Sequence, residues 1–233
     1  GDIAFLLSRG IPKVVTYHSG SIGKGFSIWT IFTYIYERFF LSYFLARSKK
    51  IICSSDYIRY GFLKRYMYKS ITVTPGVDVN RFHPNPSLKT EYTSVLFVAG
   101  LGKTETYKGL STLIEAVRDI VKVNTDLVLN VVGDGDMREE YENYVQSIGL
   151  EDNIKFWGKL DGERLVEKYQ KNHIFVSAST NESFSMVILE AMASSLPIIA
   201  FDVGSTSQMI ENGKNGFLLS CSSAQQLKTK ILE

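Results

Sequence analysis

From residue 94 onward, short β-branched and apolar runs alternate with stretches whose apolar positions recur every three to four residues. VLFVA (95–99), LVLNVV (127–132), IKFW (154–157), IFVS (174–177) and PIIAF (197–201) predict strands, with FLLS (217–220) a weaker sixth. Between them KGLSTLIEAVRDIVK (108–122), MREEYENYVQSI (137–148), ERLVEKYQK (163–171) and MVILEAMASS (186–195) predict helices. That alternation argues for βαβ units and a parallel, doubly wound sheet. Residues before 75 follow the same grammar in less space. KVVTY (13–17), KKIICS (49–54) and SITVT (70–74) predict strands, with helical stretches at 2–9, 27–47 and 55–66. Three strands make a thin layer, so this part reads as an incomplete domain. RFHPNPSLKTEYT (81–93) holds two prolines, which remove a backbone donor and stop helices, and few apolar residues. It is read as a linker, giving domains 1–85 and 86–233.

Composition narrows the class. With 45% hydrophobic and 21% charged residues in 233, the chain is globular, and disorder and fibrous repeats are excluded. The charge-free aromatic run Phe26 to Tyr36 is eleven residues, short of the roughly 20 that span a bilayer. No secretory pattern opens the chain, and Cys53 and Cys221 share no metal-ligand or redox spacing. A cytoplasmic location with no metal and no cofactor is expected. The charge is uneven: residues 1–85 carry 12 Lys/Arg against 4 Asp/Glu, net +8, and residues 86–233 carry 14 against 20, net −6. The first part also holds 17 of the 29 aromatic residues. Bases interleaved with aromatics over 24–70 suit an anionic membrane surface, or equally a core helix with a solvated basic rim. A nucleic-acid partner would also use such charge, but no recognised motif accompanies it, and none is expected.

In an open α/β sheet, ligands bind beyond the carboxyl ends of the strands. There the sequence places Gly100 to Lys103, Gly133 to Gly135, Gly158-Lys159, Ser177 to Ser185 and Asp202 to Ser205, with His18-Ser19-Gly20 after the first strand. HSGSIGKG (18–25) is not a phosphate-binding P-loop, because His18 and Gly25 stand where that loop needs glycine and Ser/Thr. Gly133-Asp134-Gly135 lacks the third glycine of a dinucleotide fingerprint, where Arg138 stands. The sharpest local feature is NESFSMVILEAMA (181–193), in which Glu190 is the lone charge of an apolar helical run. A buried carboxylate needs a ligand or a salt bridge, and both readings stay open. If Ser185 caps this helix, the N–H groups of Met186, Val187 and Ile188 form an anion site beside Glu182.

Glu182-Ser183-Phe184, seven residues between Glu182 and Glu190, and Ala191-Met192-Ala193 resemble the E-x7-E motif of retaining glycosyltransferases of family 4. Other marks follow in order: PGVDVNRF (75–82), FVAGLGKTETYKGLSTLIEA (97–116), VVGDG (131–135), FWGKL (156–160) and PIIAFDVGSTSQMIENGKNGFLL (197–219). The resemblance implies a GT-B fold of two Rossmann-like doubly wound domains, the first truncated. It also implies sugar transfer from a UDP- or GDP-sugar to a saccharide, lipid-linked or protein acceptor, with retention and without metal. Carried over residue by residue, Glu182 contacts the donor hexose and Glu190 the ribose. The backbone of Phe184, Ser185, Met186 and Val187 contacts sugar and phosphates, and Gly100 and Gly133 line the phosphate loops. Lys108 offsets charge on the diphosphate, His18 lies near the anomeric carbon, and Gly158, Lys159 and Leu160 lie along the base. Gly100 stands where the family places a second cation, leaving Lys103 as its substitute. A nucleotide-sugar-binding subunit without catalysis and a UDP-sugar epimerase are the alternative readings.

Overall fold

The computed structural model describes residues 11–18, 32, 35–220 and 222–233. The helix expected over 2–9, much of that over 27–47, Ser19-Gly20 and Cys221 lie outside them. The chain divides into two units between Pro75 and Gly76, ten residues before the boundary read from the prolines. The reason is burial. Phe82 is buried against Tyr169 at 5.6 Å between ring centroids, and Gln170 Nε2 donates to the His83 carbonyl at 3.1 Å. The proline-rich segment is therefore packed onto the second unit, not free between two.

In the first unit, β1 (Val14–Tyr17), β2 (Lys50–Cys53) and β3 (Ser70–Thr72) form a parallel sheet in that order. A π-helical turn over Tyr36–Leu41 runs into α1 (Ser42–Arg47). Buried Lys69 donates to the carbonyls of Ala46 and Ser48 at 2.7 and 3.0 Å, satisfying groups that the end of α1 leaves without helical partners. Helix α2 (Asp56–Tyr60) is capped by Ser55, whose hydroxyl accepts from Ile58 N at 3.4 Å. It stops at Gly61, well short of the expected residue 66, and a 3-10 turn over Lys64–Lys69 leads into β3. Ile51, Cys53, Ile58 and Leu63 are fully buried and make the core.

The second unit carries β4 (Ser94–Val98), β5 (Val128–Val132), β6 (Ile154–Phe156), β7 (Ile174–Ser177), β8 (Ile198–Phe201) and β9 (Gly216–Leu219). All pair in parallel, in the order β6-β5-β4-β7-β8-β9. Chain order reverses between β4 and β7, the point where doubly wound sheets bind ligands. The weak sixth strand is real: β9 pairs with β8 along its whole length. Helices α3 (Leu110–Val121), α4 (Arg138–Ser147), α5 (Gly162–Lys171) and α6 (Met186–Ala193) fall where periodicity predicts. Apolar side chains from both faces of the sheet fill two cores. One is centred on Leu113, Ile114, Val117 and Leu129, the other on Leu96, Tyr169, Ile188 and Ile198. Helix α7 (Ala224–Leu232) was not anticipated. Its sequence offers few apolar positions, yet Leu227 and Ile231 are buried and it packs against α3.

Candidate functional site

The loops after β4, β5 and β6 lie against each other. Gly133 N donates to Gly158 O at 2.9 Å, and a Cβ on Gly133 would come within 1.8 Å of the Ala99 carbonyl oxygen. Only glycine allows that approach. Gly100 is similarly closed in, by a side chain: a Cβ there would meet the Glu105 carboxylate at 2.2 Å. Glu105 also accepts from Gly102 N at 3.2 Å, so a carboxylate, not a cation, sits over Gly100. Lys103 begins the same turn, exposed, with its backbone N–H donating to Asp136 at 2.8 Å.

Lys108 ends that turn. The expected helix over 108–122 starts two residues late, at Leu110, because Gly109 adopts φ +78°. A Cβ on Gly109 would sit 2.0 Å from Ala178 O, and Thr180 N donates to Tyr107 O at 2.8 Å, so the turn is pinned to the chain just after β7. The result is the central contact of the site: Lys108 Nζ donates to Glu182 Oε2 at 2.9 Å. Glu182 is 8% exposed. Its backbone is fixed from a third strand, because Ser205 N donates to Glu182 O at 3.2 Å. Beside that bond Gly204, at φ +59°, packs against the same carbonyl. Thr206 folds this loop, its hydroxyl accepting from Val203 N at 2.9 Å. The ends of β4, β7 and β8 thus converge on one Lys–Glu pair.

Helix α6 begins directly after Glu182 and Phe184. Ser185 occupies the cap position, but its side chain makes no capping hydrogen bond, which corrects the sequence expectation. By helix geometry the N–H groups of Met186, Val187 and Ile188 still lack partners within the helix. Phe184 is half-buried, Met186 is exposed and Val187 packs on the second core. Glu190 is half-buried, and among the described residues it forms no ion pair. Instead Tyr169 Oη donates to Glu190 Oε2 at 2.7 Å. Burial pushes the Glu190 carboxyl up, opposed by the Tyr169 hydrogen bond and the positive field of Arg81. Among the described residues a tyrosine hydroxyl, not a salt bridge, holds Glu190.

Gly158 is buried at φ +67° with Arg138 beside it, Lys159 is exposed and Leu160 packs on the second core. His18 is exposed at the carboxyl end of β1 in the first unit. No group of three His, Cys, Asp or Glu side chains among the described residues could hold a metal ion. Tyr169 and Arg81 were missed. Nothing in KYQK or VNRF marks them, because their contacts join residues 21 apart in one case and act across segments in the other.

A doubly wound sheet with a Lys–Glu pair and a carboxylate-bearing helix at its switch point defines a class, and the chain belongs to the glycosyl transferases group 1 family, whose pattern matches residues 79–233. It is 30% identical over its whole length to an uncharacterized glycosyltransferase of Methanocaldococcus jannaschii, covering 62% of that protein. Over 66% of its length it is 30% identical to the D-inositol 3-phosphate glycosyltransferase of Corynebacterium aurimucosum, covering 40% of it. The chain thus spans less than two thirds of these relatives. Among solved structures, sucrose-phosphate synthase of Thermosynechococcus elongatus matches 94% of the chain, and the chain covers 57% of it, at TM-score 0.79 and 25% identity. Anabaena HepE, solved with UDP and glucose, matches 99%, with 63% of its own length covered, at TM-score 0.83 and 22% identity. The fold is that of GT-B glycosyltransferases.

Proposed function

We propose that the chain binds a nucleoside diphosphate sugar at the ends of β4, β7 and β8 and serves in transfer of the sugar, with retention and without a metal ion. The observation that carries this is the Lys108–Glu182 pair: a cation for the diphosphate and a carboxylate for hexose hydroxyls, 2.9 Å apart on loops held by Gly109 and Gly204. As the bond from sugar carbon to diphosphate oxygen breaks, its electron pair stays on the oxygen, while an acceptor hydroxyl oxygen bonds the sugar carbon and its proton passes to the departing diphosphate. The Lys108 ammonium offsets that charge. Glu182, released from Lys108, accepts from the sugar, and the first N–H groups of α6 face the anion. Glu190 accepts from ribose hydroxyls, and Gly158 to Leu160 border the base. The Anabaena neighbour is solved with UDP-glucose, which favours a UDP-sugar as donor.

Calorimetric titration with UDP, GDP and their glucose conjugates tests the reading. Micromolar to millimolar binding of at least one is expected, and no heat with any of them at millimolar concentration refutes it. Glu190→Gln should weaken free UDP about ten- to hundredfold, the cost of a hydrogen bond to a charged group. Glu182→Gln should leave free UDP nearly unchanged and remove the extra affinity contributed by glucose. Equal losses on free UDP would break the division of roles. One observation favours a second reading, a binding subunit without transfer: the Glu105 carboxylate over Gly100 leaves Lys108 without a second cation at that position.

For the acceptor we propose a lipid-linked substrate at an anionic membrane, met by the first unit. Its support is exposure: Phe39, Phe40, Tyr60, Phe62 and Tyr68 are exposed, as are Lys49, Lys50, Lys64 and Arg65. No helix among the described residues is long and apolar enough to cross a membrane. Binding to vesicles should rise with anionic lipid and fall as salt shortens the Debye length from about 30 Å at 0.01 M to about 8 Å at 0.15 M. Changing the four bases to Gln should remove about 1 kcal/mol each. Absent or salt-insensitive binding would return the segment to a solvated rim.

A further inference from the structure

We propose that Tyr169 is a positioning residue for the nucleotide: its hydroxyl holds one oxygen of Glu190 so that the other is presented to the ribose hydroxyls. The inference rests on the ribose role of Glu190 proposed above. Tyr169 is fully buried on α5, its ring set edge-on to Phe82 at 5.6 Å and tilted against Phe175 at 6.0 Å. A buried tyrosine hydroxyl needs an acceptor, and this one is aimed at Glu190 Oε2 at 2.7 Å. Among the described residues no donor reaches Oε1. One carboxylate oxygen is therefore engaged and the other available, which fixes the rotation of a side chain that would otherwise sample several rotamers.

The second effect is on charge. Tyr169 from α5 and Arg81 from the segment before β4 are the polar groups that face Glu190 and favour its ionised form, against the burial that disfavours it. The strands beneath α6, β7 and β8, contribute no charged residue. Removing the hydroxyl should therefore raise the pH below which Glu190 becomes protonated and loses its capacity to accept from two hydroxyls. Tyr169→Phe keeps the ring and its contacts with Phe82 and Phe175, so the core is preserved.

The test is calorimetric titration of the intact chain with UDP-glucose from pH 5 to pH 8, in the wild type, Tyr169→Phe and Glu190→Gln, with thermal melts confirming folding. UDP-glucose is chosen because its diphosphate has no ionisation in that range. A counterpart lacking the 2′ and 3′ hydroxyls is the second probe. For Tyr169→Phe we expect about tenfold weaker UDP-glucose binding at neutral pH, as for a lost hydrogen bond to a charged group. We also expect the fall in affinity on acidification to begin at higher pH, with no effect on the dideoxy probe. Glu190→Gln should flatten the pH profile. A loss in Tyr169→Phe that is equal for both probes, or an unmoved pH profile, overturns the positioning role while leaving the ribose reading intact. If Glu190→Gln is indistinguishable from wild type with both probes, the ribose reading fails and the inference with it.

Discussion

Replacing Lys108 by Met is expected to reduce sugar transfer about 100- to 1,000-fold, the range for removing one group that stabilises developing negative charge. The same change leaves the Glu182 carboxylate buried without its cation. Removing one partner of a buried pair costs about 3–5 kcal/mol, and the partial exposure of Lys108 places this case near about 3 kcal/mol. The double variant Lys108→Met/Glu182→Gln separates the two effects. With both charges gone the stability loss should shrink, since no lone charge stays buried, whereas transfer should remain as low as in the single variant. Denaturant unfolding and initial rates at saturating donor measure both. A Lys108→Met chain that retains wild-type stability and transfers within about threefold of wild type would remove the pair from the mechanism.

What the sequence disclosed and what it withheld divide along physical lines. Among the described residues the nine strands were legible as short apolar runs, and α3 to α6 as stretches with a periodic apolar face. IKF and GFLL stayed recognisable even at three or four residues. Glu182 and Glu190 were legible as charges around an apolar helix, and Lys108 only through the family resemblance, yet their partners were not. Nothing local says that Lys108 pairs with Glu182, 74 residues away, or that Glu190 takes a tyrosine hydroxyl in place of a cation. RFHPNPSLKTEYT misled for the opposite reason. Its prolines do break regular structure, but Phe82 seated on Tyr169, with the Gln170 amide donating to the His83 carbonyl, ties the segment to the second unit. Ser185 shows the limit of a local rule. It stands at the cap position that its residue type favours, yet its hydroxyl makes no hydrogen bond to the helix N–H groups.

Gly204→Ala should be the most damaging single-methyl change near the site. At φ +59° an alanine is in the left-handed region, which costs about 1–2 kcal/mol. Its Cβ would also stand 1.6 Å from the Glu182 carbonyl oxygen, a backbone atom that cannot rotate away. Overpacking of that kind adds about 1–3 kcal/mol, so a total near 3–5 kcal/mol is expected. Gly213 supplies the control, because it has φ +79° but nothing within 4 Å of an added Cβ. Gly213→Ala should therefore lose only the left-handed term of about 1–2 kcal/mol and leave donor binding alone. In Gly204→Ala the loop must move away from Glu182, breaking the Ser205 N–H bond to its carbonyl and shifting the carboxylate off Lys108. Chemical denaturation of both variants, with UDP and UDP-glucose titrated into each, reads the two consequences separately. The glucose contribution to affinity should vanish in Gly204→Ala while free UDP still binds, since the ribose contact lies on α6 and not on this loop. Equal destabilisation by the two alanines, or an unchanged glucose contribution in Gly204→Ala, would show that the loop yields without carrying Glu182 with it.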